Sequence, residues 1–158
     1  MTRLLFVCLG NICRSPAGEN TLRHLLREND ITDVSLDSAG TAGYHIGKGP
    51  DPRMTATLEE RGIRVTGTAR QFSKQDFDDF DLILAMDEDN RKDILRLARS
   101  EADRAKVKPF MSFCKNFSNA EVPDPYYGGQ DGFDLVADIM ADGCAGILSA
   151  IAREQGQK

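Results

Sequence analysis

The stretch from Leu4 to Pro16 constrains the fold more tightly than any other part of the chain. Leu4-Leu5-Phe6-Val7 is a short apolar run of the kind that forms a buried strand, and Pro16 suits the first turn of a helix. Between them lies Cys8-Leu9-Gly10-Asn11-Ile12-Cys13-Arg14-Ser15, in which Gly10 and Asn11 tolerate left-handed backbone angles. Such a strand, loop and helix start aim successive backbone N–H groups at one point, where they and the helix dipole favour an anion. Arg14 adds a planar fork that matches two phosphate oxygens. The loop therefore reads as a phosphate cradle made of Leu9, Gly10, Asn11, Ile12, Cys13, Arg14 and Ser15, with the Cys8 sulfur beneath it. A helix N-terminus beside a cation favours the thiolate, the nucleophilic form of cysteine. The plainer reading makes Cys8 the apolar end of a buried strand, but it does not require Cys, Arg and Ser at these spacings.

The rest of the chain supplies a frame for that loop. Further apolar runs at 34–38, 81–86 and 106–110 read as strands, and amphipathic stretches at 16–28, 53–61, 73–78, 88–99 and 133–152 read as helices. Ser73 is placed as a cap and Gly62 as a stop. This alternation predicts an α/β three-layer sandwich, a four-stranded parallel sheet flanked by helices, in one domain over residues 1–158. With the first strand central, the expected order is 2-1-3-4, and the loop after that strand lies at a topological switch point, where open α/β sheets bind ligands. Phe133, Val136, Ala137, Met140, Cys144, Ile147, Leu148 and Ile151 recur at helical spacing, which marks one buried face and puts Cys144 in the core. Residues 154–158 read as a loose tail.

Composition narrows the function. At 158 residues, 41% hydrophobic and 28% charged, the chain has material for one core of its own. A net charge of -5 with no basic run argues against nucleic acid as a partner. Residues 4–7 are too few for a signal-peptide core, and no apolar stretch approaches the roughly 18 residues of a bilayer span, so a cytoplasmic protein without membrane insertion is expected. Cys8, Cys13, Cys114 and Cys144 show neither a disulfide framework nor zinc spacing, and His24 and His45 have no ligand partners nearby, so neither metal nor cofactor is expected. Both histidines read as surface or supporting residues without catalytic duty.

A thiolate in a phosphate cradle can attack phosphorus, and Ser15 is placed to donate a hydrogen bond to the Cys8 sulfur, unless it simply caps the helix before Pro16. The leaving group then needs a proton. Asp124, in Val122-Pro123-Asp124-Pro125-Tyr126-Tyr127-Gly128-Gly129, is the candidate donor, although an aspartate between two prolines also suits a plain turn. To act as an acid it must hold its proton through burial or through the bound dianion.

These features resemble the low-molecular-weight protein tyrosine phosphatases, whose Cys-x5-Arg-Ser/Thr signature lies close to the N-terminus. The likeness extends to Asp37-Ser38-Ala39-Gly40-Thr41, Pro50-Asp51-Pro52-Arg53, Ala69-Arg70-Gln71, Met86-Asp87-Glu88 and Asp124-Pro125-Tyr126-Tyr127, in the family's order. The resemblance implies a hydrolase for phosphotyrosine-containing proteins, monomeric or weakly self-associating, that works through a phosphocysteine on Cys8 with Asp124 as acid and then base. It implies that Ile12, Tyr44, Tyr126 and Tyr127 wall the substrate cleft, although adjacent tyrosines also serve as scaffold contacts. It implies further that Asn11 and Ser38 support the loop, and that Cys13 is a reversible disulfide partner for the nucleophile. Related protein-arginine phosphatases typically carry threonine where this chain has Ile12, which favours tyrosine. The chain departs from many relatives at Gly67, where histidine is common. Two alternatives share the scaffold. An arsenate reductase would need two further cysteines near the third strand, and none lies between Cys13 and Cys114. A phosphoprotein-binding module without catalysis would not require Cys8, Arg14 and Asp124 together.

Overall fold

The first strand, β1 (Thr2–Cys8), is apolar on both faces, and both faces are covered. Leu4, Phe6 and Cys8 point to one side and Leu5 and Val7 to the other, all buried. In the computed structural model, which describes residues 1–156, β1 is followed by α1 (Arg14–Glu28), β2 (Val34–Gly40), α2 (Pro52–Glu60), α3 (Asp76–Asp79), β3 (Leu82–Ala85), α4 (Glu88–Arg96), α5 (Glu101–Ala105), β4 (Val107–Pro109), a 3-10 turn (Phe110–Phe113) and α6 (Gln130–Gly156). The four strands are parallel in the order β2-β1-β3-β4, as expected from the sequence.

Two cores lie on the two faces of the sheet. Leu4, Phe6, Leu84 and Met86 pack with Leu22 and Leu26 of α1, Met54 and Leu58 of α2, and the α6 stripe from Phe133 to Ile151. Leu5, Val7, Ile83 and Ala85 pack with Phe72, Phe77, Phe80 and Ile94. Cys144 is fully buried in the first core. By length and composition alone α6 meets the requirement for crossing a bilayer, contrary to the expectation that no such stretch exists. Its apolar stripe is instead turned inward onto the sheet.

Element boundaries moved where side chains, rather than periodicity, set them. Helix α1 begins at Arg14, before Pro16, because Cys13 takes the N-cap position. Ser73 caps nothing with its side chain; α3 begins at Asp76, whose carboxylate instead accepts the Ser73 N–H at 2.9 Å. Helix α4 stops at Arg96, and the polar helix α5 after Ser100 was not foreseen. Residues 154–156 of the expected tail continue α6, while the last two lie outside the described residues. Gly62 ends its segment as expected, with φ of +80°.

Candidate active site

The carboxyl end of β1 delivers Cys8 to the floor of a pocket lined by Leu9, Gly10, Ile12, Cys13, Arg14, Tyr44, His45, Asp124, Tyr126 and Tyr127. Asn11 turns the loop with φ of +58°, whereas Gly10 has no left-handed angle. A side chain at Gly10 would instead press on the His45 ring, whose Cδ2 lies 2.9 Å from where a Cβ would be. The Asn11 N–H points at the Cys8 sulfur at 3.3 Å, and the Ser15 hydroxyl lies 3.0 Å from it. Ser15 therefore belongs to the surroundings of the Cys8 sulfur and is not the helix cap.

Neighbouring loops clamp the cradle from outside. Thr41 and Ala42 donate backbone N–H groups to the carbonyls of Cys8 and Leu9, and the Asp51 N–H bonds the Ile12 carbonyl at 2.7 Å. Asn11 donates to Ser15 Oγ at 2.8 Å and to Ser38 Oγ at 3.0 Å, and its Oδ1 accepts the Arg70 N–H at 2.9 Å. Ser38, on β2, thus supports the loop.

Arg14 is 3% exposed. Its Nη1 bonds Asp87 Oδ2 at 2.6 Å and the Val122 carbonyl at 3.1 Å, and its Nη2 lies 3.6 Å from Asp124 Oδ2. Burial opposes its charge, but Cys8, then Asp87 and Asp124, outweigh that cost and raise its pKa above the ordinary guanidinium value. With Nη1 occupied, the Nε–Nη2 edge remains to meet phosphate.

Asp124 reaches the pocket because Val122 is tied twice, its N–H to the Met86 carbonyl at 2.9 Å and its carbonyl to Arg14. The carboxylate itself is 39% exposed on its open Pro-Asp-Pro loop. Of the three tyrosines, Tyr126 is half-buried and packs on His45, with ring centroids 6.1 Å apart, while Tyr44 and Tyr127 stand exposed at the rim. The Arg53 guanidinium covers the Tyr126 ring at 5.3 Å.

Cys13 also lines the pocket. Burial, and then the negative charge of Asp51, push its thiol pKa far up, so it is a protonated thiol at neutral pH. Cys114 and Cys144 are not among the residues lining the pocket. Among the described residues, no three His, Cys, Asp or Glu side chains form a metal-binding group.

Two residues of the site go beyond those expected from the sequence: His45 lines the pocket, and Asp87 holds Arg14 from outside it. His45 was taken as a residue without a site role, yet it forms the wall between Tyr44 and Tyr126, and nothing in its sequence context announces this. Asp87 was visible only as part of a matched segment, with no role; the fold brings it onto Arg14 from the N-cap of α4.

A thiol at the tip of a parallel strand, an amide cradle at a helix start, a buried arginine and an overhanging carboxylate define a cysteine-based phosphoryl-transfer site. The model of the low molecular weight phosphotyrosine protein phosphatases matches residues 3–157. A relative in Synechocystis is 49% identical over 153 residues, 96% of this chain and 98% of its own. A protein tyrosine phosphatase from Entamoeba histolytica superposes with a TM-score of 0.92 at 40% identity, over all of both chains. A Drosophila arginine phosphatase superposes with a TM-score of 0.88 at 31% identity, over 96% of this chain and 98% of its own. The chain belongs to the low molecular weight phosphotyrosine protein phosphatase family.

Proposed function

We propose that this protein hydrolyses phosphotyrosine in proteins, and small aryl phosphates, in two steps through a phosphocysteine on Cys8. The observation that carries this reading is the single pocket in which Cys8, Arg14 and Asp124 meet, the last two 3.6 Å apart. A phosphate monoester repels nucleophiles, and the cradle N–H groups with Arg14 offset that charge on the equatorial oxygens. The Cys8 thiolate attacks phosphorus in line; an S–P bond forms, the P–O bond to the ring breaks, and Asp124 gives its proton to the departing phenolate. The phosphate dianion in the cradle is what favours a proton on that carboxyl before transfer. A water then attacks phosphorus and passes a proton to Asp124, and the S–P bond breaks with its electron pair left on Cys8.

The burial of Cys8 in the pocket and the walls at Ile12, Tyr44, Tyr126 and Tyr127 support an aryl phosphate over a short seryl phosphate. Ile12 supports tyrosine over arginine. Two cysteines lining one pocket, Cys8 and Cys13, support a reversible disulfide that shields the nucleophile; peroxide followed by mass analysis should show that bond, and direct sulfinic acid formation would count against it. Four free thiols support work in the reducing cytoplasm.

Hydrolysis of an aryl phosphate, a phosphotyrosyl peptide, a phosphoseryl peptide and phosphoarginine by wild type, Cys8→Ser and Asp124→Ala tests the reading. Cys8→Ser loses nearly all activity, and Asp124→Ala loses roughly 10²- to 10⁴-fold on the tyrosyl peptide. Full activity in Cys8→Ser overturns the mechanism, and a preference for phosphoarginine overturns the substrate.

A further inference from the structure

We infer that Arg53, on the first turn of α2 and outside the pocket, is a positioning residue that sets where the Asp124 carboxyl stands, acting through the Tyr126 ring. The inference rests on the reading of Asp124 as the acid that protonates the leaving phenolate. Asp124 divides its oxygens. Its Oδ1 accepts the Tyr126 N–H at 3.1 Å, and its Oδ2 is left toward Arg14, 3.6 Å from Nη2. Whatever fixes Tyr126 therefore fixes the oxygen that faces Arg14.

Tyr126 is fixed by Arg53. The guanidinium lies over the Tyr126 ring at 5.3 Å and over the ring of Phe133, on α6, at 4.7 Å. Phe133 is buried, and so is Asp51, which takes the edge of the fork, accepting from Nε at 3.2 Å and from Nη2 at 3.1 Å. The guanidinium is thus anchored on two buried partners and spreads a flat cationic face on the one that belongs to the acid loop.

Helix α2 does not need this guanidinium. Asp51 caps it by accepting the N–H groups of Arg53 and Met54 at 2.8 and 3.4 Å, and an ion pair with a half-exposed arginine adds little stability of its own. Asp51 also gives its backbone N–H to the Ile12 carbonyl at 2.7 Å. One residue therefore holds the cradle through its main chain and Arg53 through its side chain. The cradle and the exit of the acid loop are kept in register, while the entry of that loop is tied at Val122.

Loosening Tyr126 lets the Asp124 carboxyl swing on its exposed loop, which costs proton transfer and leaves the attack of Cys8 untouched. The effect then depends on the leaving group. A phenolate of ordinary basicity needs the proton, whereas a dinitrophenolate departs without it.

The test compares kcat/KM of wild type, Arg53→Ala, Asp124→Ala and the double variant on phenyl phosphate and on dinitrophenyl phosphate. Arg53→Ala is expected to lower kcat/KM by about tenfold on phenyl phosphate and to stay within about twofold of wild type on dinitrophenyl phosphate. Added to Asp124→Ala, it costs nothing further on phenyl phosphate, because it acts through that carboxyl. Arg53→Lys keeps the pair with Asp51 but not the flat face; it shows the same pattern at about threefold and carries the test if Arg53→Ala does not fold. Equal losses on both substrates, no loss on either, or additive losses in the double variant overturn the role of Arg53. If Asp124→Ala spares phenyl phosphate, the reading of Asp124 as the acid falls, and the inference with it.

Discussion

Asp87 at the N-cap of α4 and Arg14 at the start of α1, 73 residues apart in the chain, meet through a 2.6 Å contact between Oδ2 and Nη1. Asp87 divides its oxygens between two tasks, since its Oδ1 accepts the Asn90 N–H at 2.7 Å and caps α4. The capping box of α4 therefore fixes the angle at which Arg14 enters the pocket.

Asp87→Asn separates the two tasks. The amide oxygen can keep the cap, and the NH₂ group then faces Arg14, donor against donor. Loss of this charged hydrogen bond lowers kcat/KM for an aryl phosphate by about tenfold or more, with α4 retained by circular dichroism. Unchanged kcat/KM would show that the Val122 carbonyl alone holds Arg14.

Gly67, where the family resemblance leads one to expect histidine, lines a small cavity with Asn11, Pro16, Ser38 and Thr66. Nothing lies within 4 Å of where its Cβ would be, so space does not require glycine, but its φ of +122° does. Gly67→His costs about 1–3 kcal/mol of backbone strain, read as a lower midpoint in urea. A variant as stable as wild type would mean that the 64–70 segment relaxes freely.

Asp142 on α6 gathers the backbone N–H groups of Lys115, Asn116 and Phe117 at 3.2, 2.9 and 3.1 Å and ties the loop after the 3-10 turn to the helix. Burial works against its charge, but these donors outweigh it and hold its pKa below the ordinary 3.8. A carboxylate depressed on folding adds stability above its unfolded value and loses it as pH falls through the folded one. Asp142→Ala therefore lowers the melting temperature at neutral pH, and the gap to wild type closes below about pH 4. A gap independent of pH would assign the effect to packing instead.

Legibility from sequence followed the range of the interactions. The cradle was readable because strand, turn and helix start are consecutive, and the sheet order because each apolar run is followed by its own crossover. Ser73 was misassigned because Asp76 competes for the same turn by reaching back to the Ser73 N–H, and Ser15 left two readings open that only the 3.0 Å contact with Cys8 separates. His45 was passed over because an isolated histidine carries no spacing signal; it enters the wall through Tyr126, which lies 81 residues further on.

By itself the sequence determined the candidate nucleophile Cys8, the cradle and the parallel sheet that presents them, since these depend on neighbours in the chain and on residue types with few alternative uses. The tertiary structure decided the orientation of the charges. Arg14 is aimed by Asp87 and by the Val122 carbonyl, Asp124 is left exposed at the mouth, and the Asn11 amide, held by the Arg70 N–H, turns its NH₂ toward Ser15 and Ser38. Hydrogen bonds and ion pairs depend on distance and angle to within tenths of an ångström, and residues so far apart in sequence acquire such geometry only when packing brings their elements together.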